Sequence, residues 1–192
     1  MKLFLKGTRC DSPKCALDRR DSPPGMQHSR RIKLTDYAIH LREKQKVKHY
    51  YGVLERQFRT YFSRASRLPG NTGDALMGIL ECRLDNIVHR LGFGLSRSQA
   101  RQIVSHGHIT VNGRRVDVPS YLVKPGDAIR VKNRSKSINL VKSNLSENPR
   151  EVPDFLTRSD GELPEGQMTR VPEAFDVSVP VQTQLIVELC SK

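Results

Sequence analysis

Apolar side chains recur at helical spacing from Thr35 to His106 and mostly at strand spacing after it, a change of period that predicts an α+β chain. Thr35 or Asp36 can cap a first helix in which Ala38, Leu41 and Gln45 share a side. Leu54, Phe58, Tyr61, Phe62 and Ala65 give a second helix with an apolar stripe, ending near Leu68-Pro69-Gly70. A third run starts at Asn71–Gly73 and carries Leu76, Ile79, Leu80, Leu84, Ile87, Val88 and Leu91. Ser96 stands three residues before Gln99, the spacing of a reciprocal cap, and Ala100, Ile103 and Val104 follow on one face. Gly107 suits the left-handed end of that helix.

Beyond it Ile109 and Val111 alternate with polar residues up to Asn112-Gly113, the dipeptide that best accepts the two positive φ angles of a tight hairpin. After Tyr121–Lys124 and the turn Pro125-Gly126-Asp127, the alternating Ala128–Lys132 predicts a further antiparallel strand, and Ile138–Leu145 a short helix. Residues 147–172 are rich in Pro, Gly and acid. Period two then returns in Val177, Val179, Val181, Leu185, Val187 and Leu189, which predicts strands folding back onto the sheet. The division expected is an extended basic arm over 1–33, a helical domain over 34–82, a small α+β module over 83–145, and an acidic linker with a returning strand segment over 146–192.

Charge turns this outline toward a polyanion. The 192 residues hold 33 Lys and Arg against 20 Asp and Glu, a net +13, with only 6% aromatic residues. The excess is uneven: residues 1–56 carry +8 and 57–150 carry +10, while 151–192 carry −5. Such a balance is the electrostatic footprint of a nucleic-acid binder. Within the module Arg97 and Arg101 lie four apart on one helical side, with Gln102 beside them and no acid between Asp85 and Asp117. Arg114 and Arg115 follow the hairpin turn, and His106 and His108 precede it. In the helical domain Lys44, Lys46, Lys48, Arg56 and Arg59 are the matching phosphate contacts, with Arg42, Arg64 and Arg67 close by. No apolar run reaches 18 residues, and the opening MKLFLKG turns polar too soon for a secretory signal, so the expectation is a cytoplasmic protein without membrane partners. Four cysteines at 10, 15, 82 and 190 make no disulfide framework.

The segments RLDNIVHRLGF (Arg83–Phe93), SRSQARQIVSHGHITVNGRRV (Ser96–Val116) and KPGD (Lys124–Asp127) closely resemble the RNA-binding domain named after the fourth small-subunit ribosomal protein, the S-four domain. KGTRCDSPKCALDRR, DYAIHLREKQKVKHYYGVLERQF and VPVQTQLIVELCSK resemble the parent bacterial ribosomal protein family, so the likeness spans nearly the whole chain. It implies a non-enzymatic constituent of the small ribosomal subunit that binds the 5′ domain of 16S ribosomal RNA, nucleates assembly of the subunit body, contributes to decoding accuracy and touches neighbouring proteins, especially the fifth. No small-molecule substrate or cofactor is implied. Some family members place a C-x-x-C pair upstream of this segment, so Cys10 and Cys15 amount to half of a zinc site, with His28 a third candidate, and two thiols do not hold a structural zinc. The alternative is a free-standing S-four-domain regulator or rescue factor, which would not need the arm and the first two helices. An enzymatic reading has one foothold, Arg83-Leu84-Asp85, which resembles a tripeptide of pseudouridine synthases. S-four domains begin the same way, and Asp85 is expected to be a helix-surface partner of an arginine.

Overall fold

The computed structural model describes residues 2–20, 33–147 and 149–191. A 3₁₀ turn over Gly7–Cys10 and a single helical turn α1 (Ala16–Arg19) precede the helical domain, which holds α2 (Asp36–Tyr51), α3 (Glu55–Ala65) and α4 (Thr72–Glu81). The module follows with α5 (Leu84–Arg90), α6 (Arg97–Ser105), β1 (Ile109–Val111), β2 (Arg114–Arg115), β3 (Ala128–Val131), α7 (Ser135–Glu147), β4 (Leu156–Ser159) and β5 (Glu165–Met168), and the chain returns through α8 (Thr183–Ser191). The α+β class is as expected.

Local signals set several boundaries. The Thr35 hydroxyl accepts from the Ala38 N–H, the Asn71 side chain from the Gly73 N–H, and the Ser96 hydroxyl from the Gln99 N–H. The return half of the Ser96 cap is shifted, because the Gln99 carbonyl oxygen accepts from the Leu95 N–H at 2.6 Å, one residue earlier than a capping box requires. At the hairpin Asn112 and Gly113 take φ values of 50° and 78°. Asn112 also ties the turn to the next strand, accepting from the Ala128 N–H and donating to Asp127.

The third apolar run is two helices, not one. Between them Arg83 is extended, its bridge to Leu122 and the Leu84 N–H bond to Tyr121 O pulling the chain out of helix. That single bridge is all the strand pairing of the 121–124 segment among the described residues. The antiparallel sheet has the order β2-β1-β3-β5-β4, and its last two strands come from residues expected to be linker. Leu84, Ile87, Leu91, Phe93, Ile103, Val104, Ile129, Phe155 and Met168 form one core beneath it. Gly166 allows close packing there, since a Cβ would lie 2.5 Å from the Leu91 side chain and push it aside.

A second core joins Val47, Tyr51, Phe58, Tyr61, Leu76, Met77 and Leu80 in the helical domain. The ending corrects the expectation of strands: Thr183–Ser191 is helical and lies on α2 and α4, with Val179 and Ile186 buried in that second core. Leu185, Ile186, Leu189 and Cys190 satisfy helical spacing as well as the alternation read from the sequence, and the two periods are not separable over so short a run.

The arm is corrected over 2–20. Cys10 and Cys15 are buried, and Leu3 and Leu5 pack against the helical-domain core. Gly7, at φ 60°, abuts the Leu95 carbonyl of the module so closely that a side-chain carbon would collide with it. A segment with apolar anchors and a required close approach is folded onto its neighbour; residues 21–32, including His28, lie outside the described residues. Gly7→Ala should therefore release the first twenty residues while leaving the main unfolding transition in place. Amide exchange would read this as a loss of protection at Gly7–Cys15, and protection equal to wild type would show that the close approach is not needed.

Candidate nucleic-acid interface

The exposed side of α6 carries Ser98, Arg101, Gln102, Ser105 and, just past its end, His106, while Ala100, Ile103 and Val104 face the core. The hairpin tip next to it exposes Arg114 and Arg115. Arg114 meets no carboxylate among the described residues, whereas Arg115 lies 3.3 Å from Asp117 and folds over Gly107. His106 and His108 have ring centroids 6.2 Å apart, and His108 Nδ1 is bonded to Ser137 at 2.9 Å. Burial, then the neighbouring His106, lowers the His108 pKa, which leaves it a neutral polar group. On α3 Arg56, Arg59 and Arg64 are exposed, as is Arg67 beyond its end; among the described residues Arg59 alone of these touches an acid, Glu55 at 3.4 Å.

Two groups of expected contacts are placed otherwise. Lys44 and Lys48 point at Glu55 with distances of 2.8 and 2.6 Å and side chains only 12% and 14% exposed. Hydrogen bonds from Lys44 and then Lys48 hold the Glu55 carboxyl down at about 2. Lys46 pairs with Glu43 at 2.7 Å and donates to Pro180 O. These three lysines are spent inside the helical domain, because Glu43 and Glu55 lie close enough along the chain to reach them. Arg97 likewise leaves the outer face of α6. Its guanidinium stacks 3.7 Å above the Tyr50 ring and its Nε donates to Asn86, so it faces the helical domain.

The remaining basic surface is divided between the two domains, and a buried polar seam fixes their arrangement. Glu81 is fully buried at the end of α4. It accepts from Tyr51 at 2.6 Å, from Asn86 at 2.6 Å and from Arg90 at 3.1 and 3.2 Å. Burial, then the Glu81 charge, raises the Tyr51 hydroxyl well above its ordinary pKa, keeping it a donor. Beside this, Arg83 is also fully buried, forked onto Asp85 at 3.0 and 2.5 Å and donating to the Tyr61 hydroxyl at 2.7 Å. Burial alone would depress its pKa; the hydrogen bonds and charge of Asp85 raise it instead. Asp85 is thus an arginine partner as expected, but 5% exposed and not on a helix surface. Arg101 completes the seam, reaching Asp85 at 3.5 Å and Gly52 O at 3.3 Å while 46% of its side chain stays open.

The Glu81 and Arg90 roles escape a reading of the sequence, although one signal is present. A glutamate directly after Leu80 and before Leu84, on the core side of an apolar helix, needs a buried partner. For zinc, Cys10 and Cys15 are buried free thiols, and no group of three or more His, Cys, Asp or Glu is gathered among the described residues. No helix among those residues is long and apolar enough to cross a membrane.

Two family models match the chain. Residues 1–81 match the family described as ribosomal protein S4/S9 N-terminal domain, and residues 82–129 match the S4 domain. The chain is 50% identical over its full length to small ribosomal subunit protein uS4 of Thermodesulfovibrio yellowstonii, covering 92% of that protein. The same protein of Thermus thermophilus is 51% identical, and that of a Thermoanaerobacter species 53%, each again aligned over the whole chain and 92% of the relative.

Proposed function

Since the chain belongs to the small ribosomal subunit protein uS4 family, we propose that its divided basic surface binds folded 16S ribosomal RNA with both domains at once. The protein is a structural, non-enzymatic constituent of the small subunit, working on the ribosome in the cytoplasm among other ribosomal proteins. The full-length match, including 1–81, disfavours a free-standing S-four-domain factor.

The observation that supports the proposal most is the buried seam between the domains. It holds Arg56, Arg64 and Arg67 of one domain and Arg101, Arg114 and Gln102 of the other in one fixed relation. A rigid pair of basic faces suits a junction of A-form helices, where phosphate spacing and 2′-hydroxyls carry the recognition and base edges are poorly accessible. Arg59, Arg115, His106 and His108 complete the set as partly engaged or neutral groups. Within this proposal the site is the 5′ domain of the RNA, binding early in assembly, with the fifth small-subunit protein as a neighbour and an influence on decoding accuracy.

Binding to a 5′-domain RNA fragment over a series of salt concentrations tests it. Arg101→Ala, Arg114→Ala and Arg64→Ala should each weaken binding and reduce the salt slope by roughly 0.7–0.9 for each phosphate left without its arginine. Lys44→Ala and Lys48→Ala should leave the slope unchanged, since their charge is already met by Glu55. Unchanged slopes for all three arginine variants would remove these faces from the interface.

A further inference from the structure

A cleft of about 300 Å³ opens where the N-terminal segment, the helical domain and the module meet, lined by His89, Arg90, Arg97, Arg150, Tyr50 and Lys2 among others. Its charge is not balanced. Lys2 is held by Asp18 at 2.8 Å, and Arg90 by Glu81. Arg97 and Arg150 meet no carboxylate among the described residues. Arg97 has one amino group, Nη2, wholly buried without a hydrogen-bond partner, its plane pressed on Tyr50. Arg150 donates one amino group to His89 Nε2 at 2.5 Å and the other to Leu95 O at 2.9 Å. With Nε2 accepting, the imidazole proton sits on Nδ1, so the ring stays neutral and adds no compensating charge. Glu151 is the one acid that lines the cleft among the described residues.

We infer that this cleft is a binding site for a phosphate-type oxyanion, held chiefly by Arg97 and Arg150. Two guanidinium groups brought together in a half-buried setting repel each other and lose hydration, and an anion between them offsets both costs. Burial, followed by the charge of Arg97, lowers the Arg150 pKa, as expected of a cation placed beside another. Planar, donor-rich arginines with an aromatic wall suit a tetrahedral oxyanion better than a compact halide, because N–H donors left over on two guanidinium groups can reach different oxygens of one anion. The anion would tie the module, through Arg97 and Arg150, to Tyr50 of α2 and to the N-terminal segment that roofs the cleft. This site stands apart from the outward faces of α3, α6 and the hairpin and does not depend on their reading.

The probe is inorganic phosphate added to the RNA-free, full-length protein at ionic strength held constant with sodium chloride. Phosphorus NMR line broadening and the thermal midpoint should both respond saturably to phosphate. Arg97→Gln and Arg150→Gln should each weaken that response roughly tenfold or more, and Arg150→Lys, which keeps the charge but not the fork, should fall between. Lys142→Gln, on an exposed part of α7, should respond as wild type. In the RNA complex, phosphate that speeds dissociation from wild type but not from Arg150→Gln would identify the natural ligand as a backbone phosphate; no effect on dissociation would identify it as the free ion. If wild type shows no saturable phosphate response beyond chloride, or if the arginine variants respond as fully as Lys142→Gln, the cleft is not an oxyanion site.

Discussion

Glu81→Ala is expected to destabilise the protein by about 3–5 kcal/mol, the range for removing one partner of a buried ion pair. The effect is large because four bonds end on one carboxylate. Without it Arg90 keeps its bond to Asp176 O at 2.7 Å and Asn86 its bond to Glu81 O at 3.1 Å, while the buried Tyr51 hydroxyl loses its acceptor and the Arg90 charge its counterion. Glu81→Gln should cost less, since an amide still accepts from Tyr51, but it leaves the Arg90 charge unmet. Urea unfolding with a common slope for all three proteins gives the comparison. A cost under about 1 kcal/mol for the alanine variant would mean that the domains do not rely on this seam. The same variant should lose RNA affinity beyond its loss of folded protein, because the two basic faces would no longer hold one spacing.

What the sequence reveals divides by the distance over which each feature is determined. Caps and turns are local: Ser96, Asn71, Thr35 and Asn112-Gly113 act on residues two or three away and are legible. The β4 and β5 strands are not, because LTRS and EGQM lack apolar alternation and take their place only by pairing with each other and with β3. Lys44 and Lys48 read as free cations along their own helix, yet Glu55 closes over them from the start of the next one. Arg97 fits the spacing of a basic outer face and still turns inward, since Tyr50, 47 positions earlier, supplies a ring for it. Exposed basic residues are therefore readable from period and charge, while those whose partners lie on another element require the fold.

Acid should unfold this protein sooner than its carboxylates alone would, and His89 is the reason. Burial, then the charges of Arg97, Arg150 and Arg90, push its pKa from 6.5 to about 2. The folded ring therefore stays neutral while the unfolded ring takes up a proton below pH 6.5, so the unfolded state binds more protons and stability falls as pH falls. Between about pH 6.5 and 4.5 the loss is about 1.4 kcal/mol per pH unit, or about 3 kcal/mol in all. Glu55 acts in a separate window: its depressed pKa contributes stability that is complete above its ordinary 4.5 and is lost from there down toward 2. His108, also lowered, works in the same direction as His89 but is present in both proteins of the comparison and cancels. His89→Gln keeps an oxygen for Arg150 and has nothing to titrate. Urea unfolding at about pH 7, 5.5 and 4.5 in phosphate-free buffer should show wild type losing about 3 kcal/mol more across this range than the variant does. Parallel losses in the two proteins would mean that His89 is protonated in the folded state, and that the arginines around it do not set its charge.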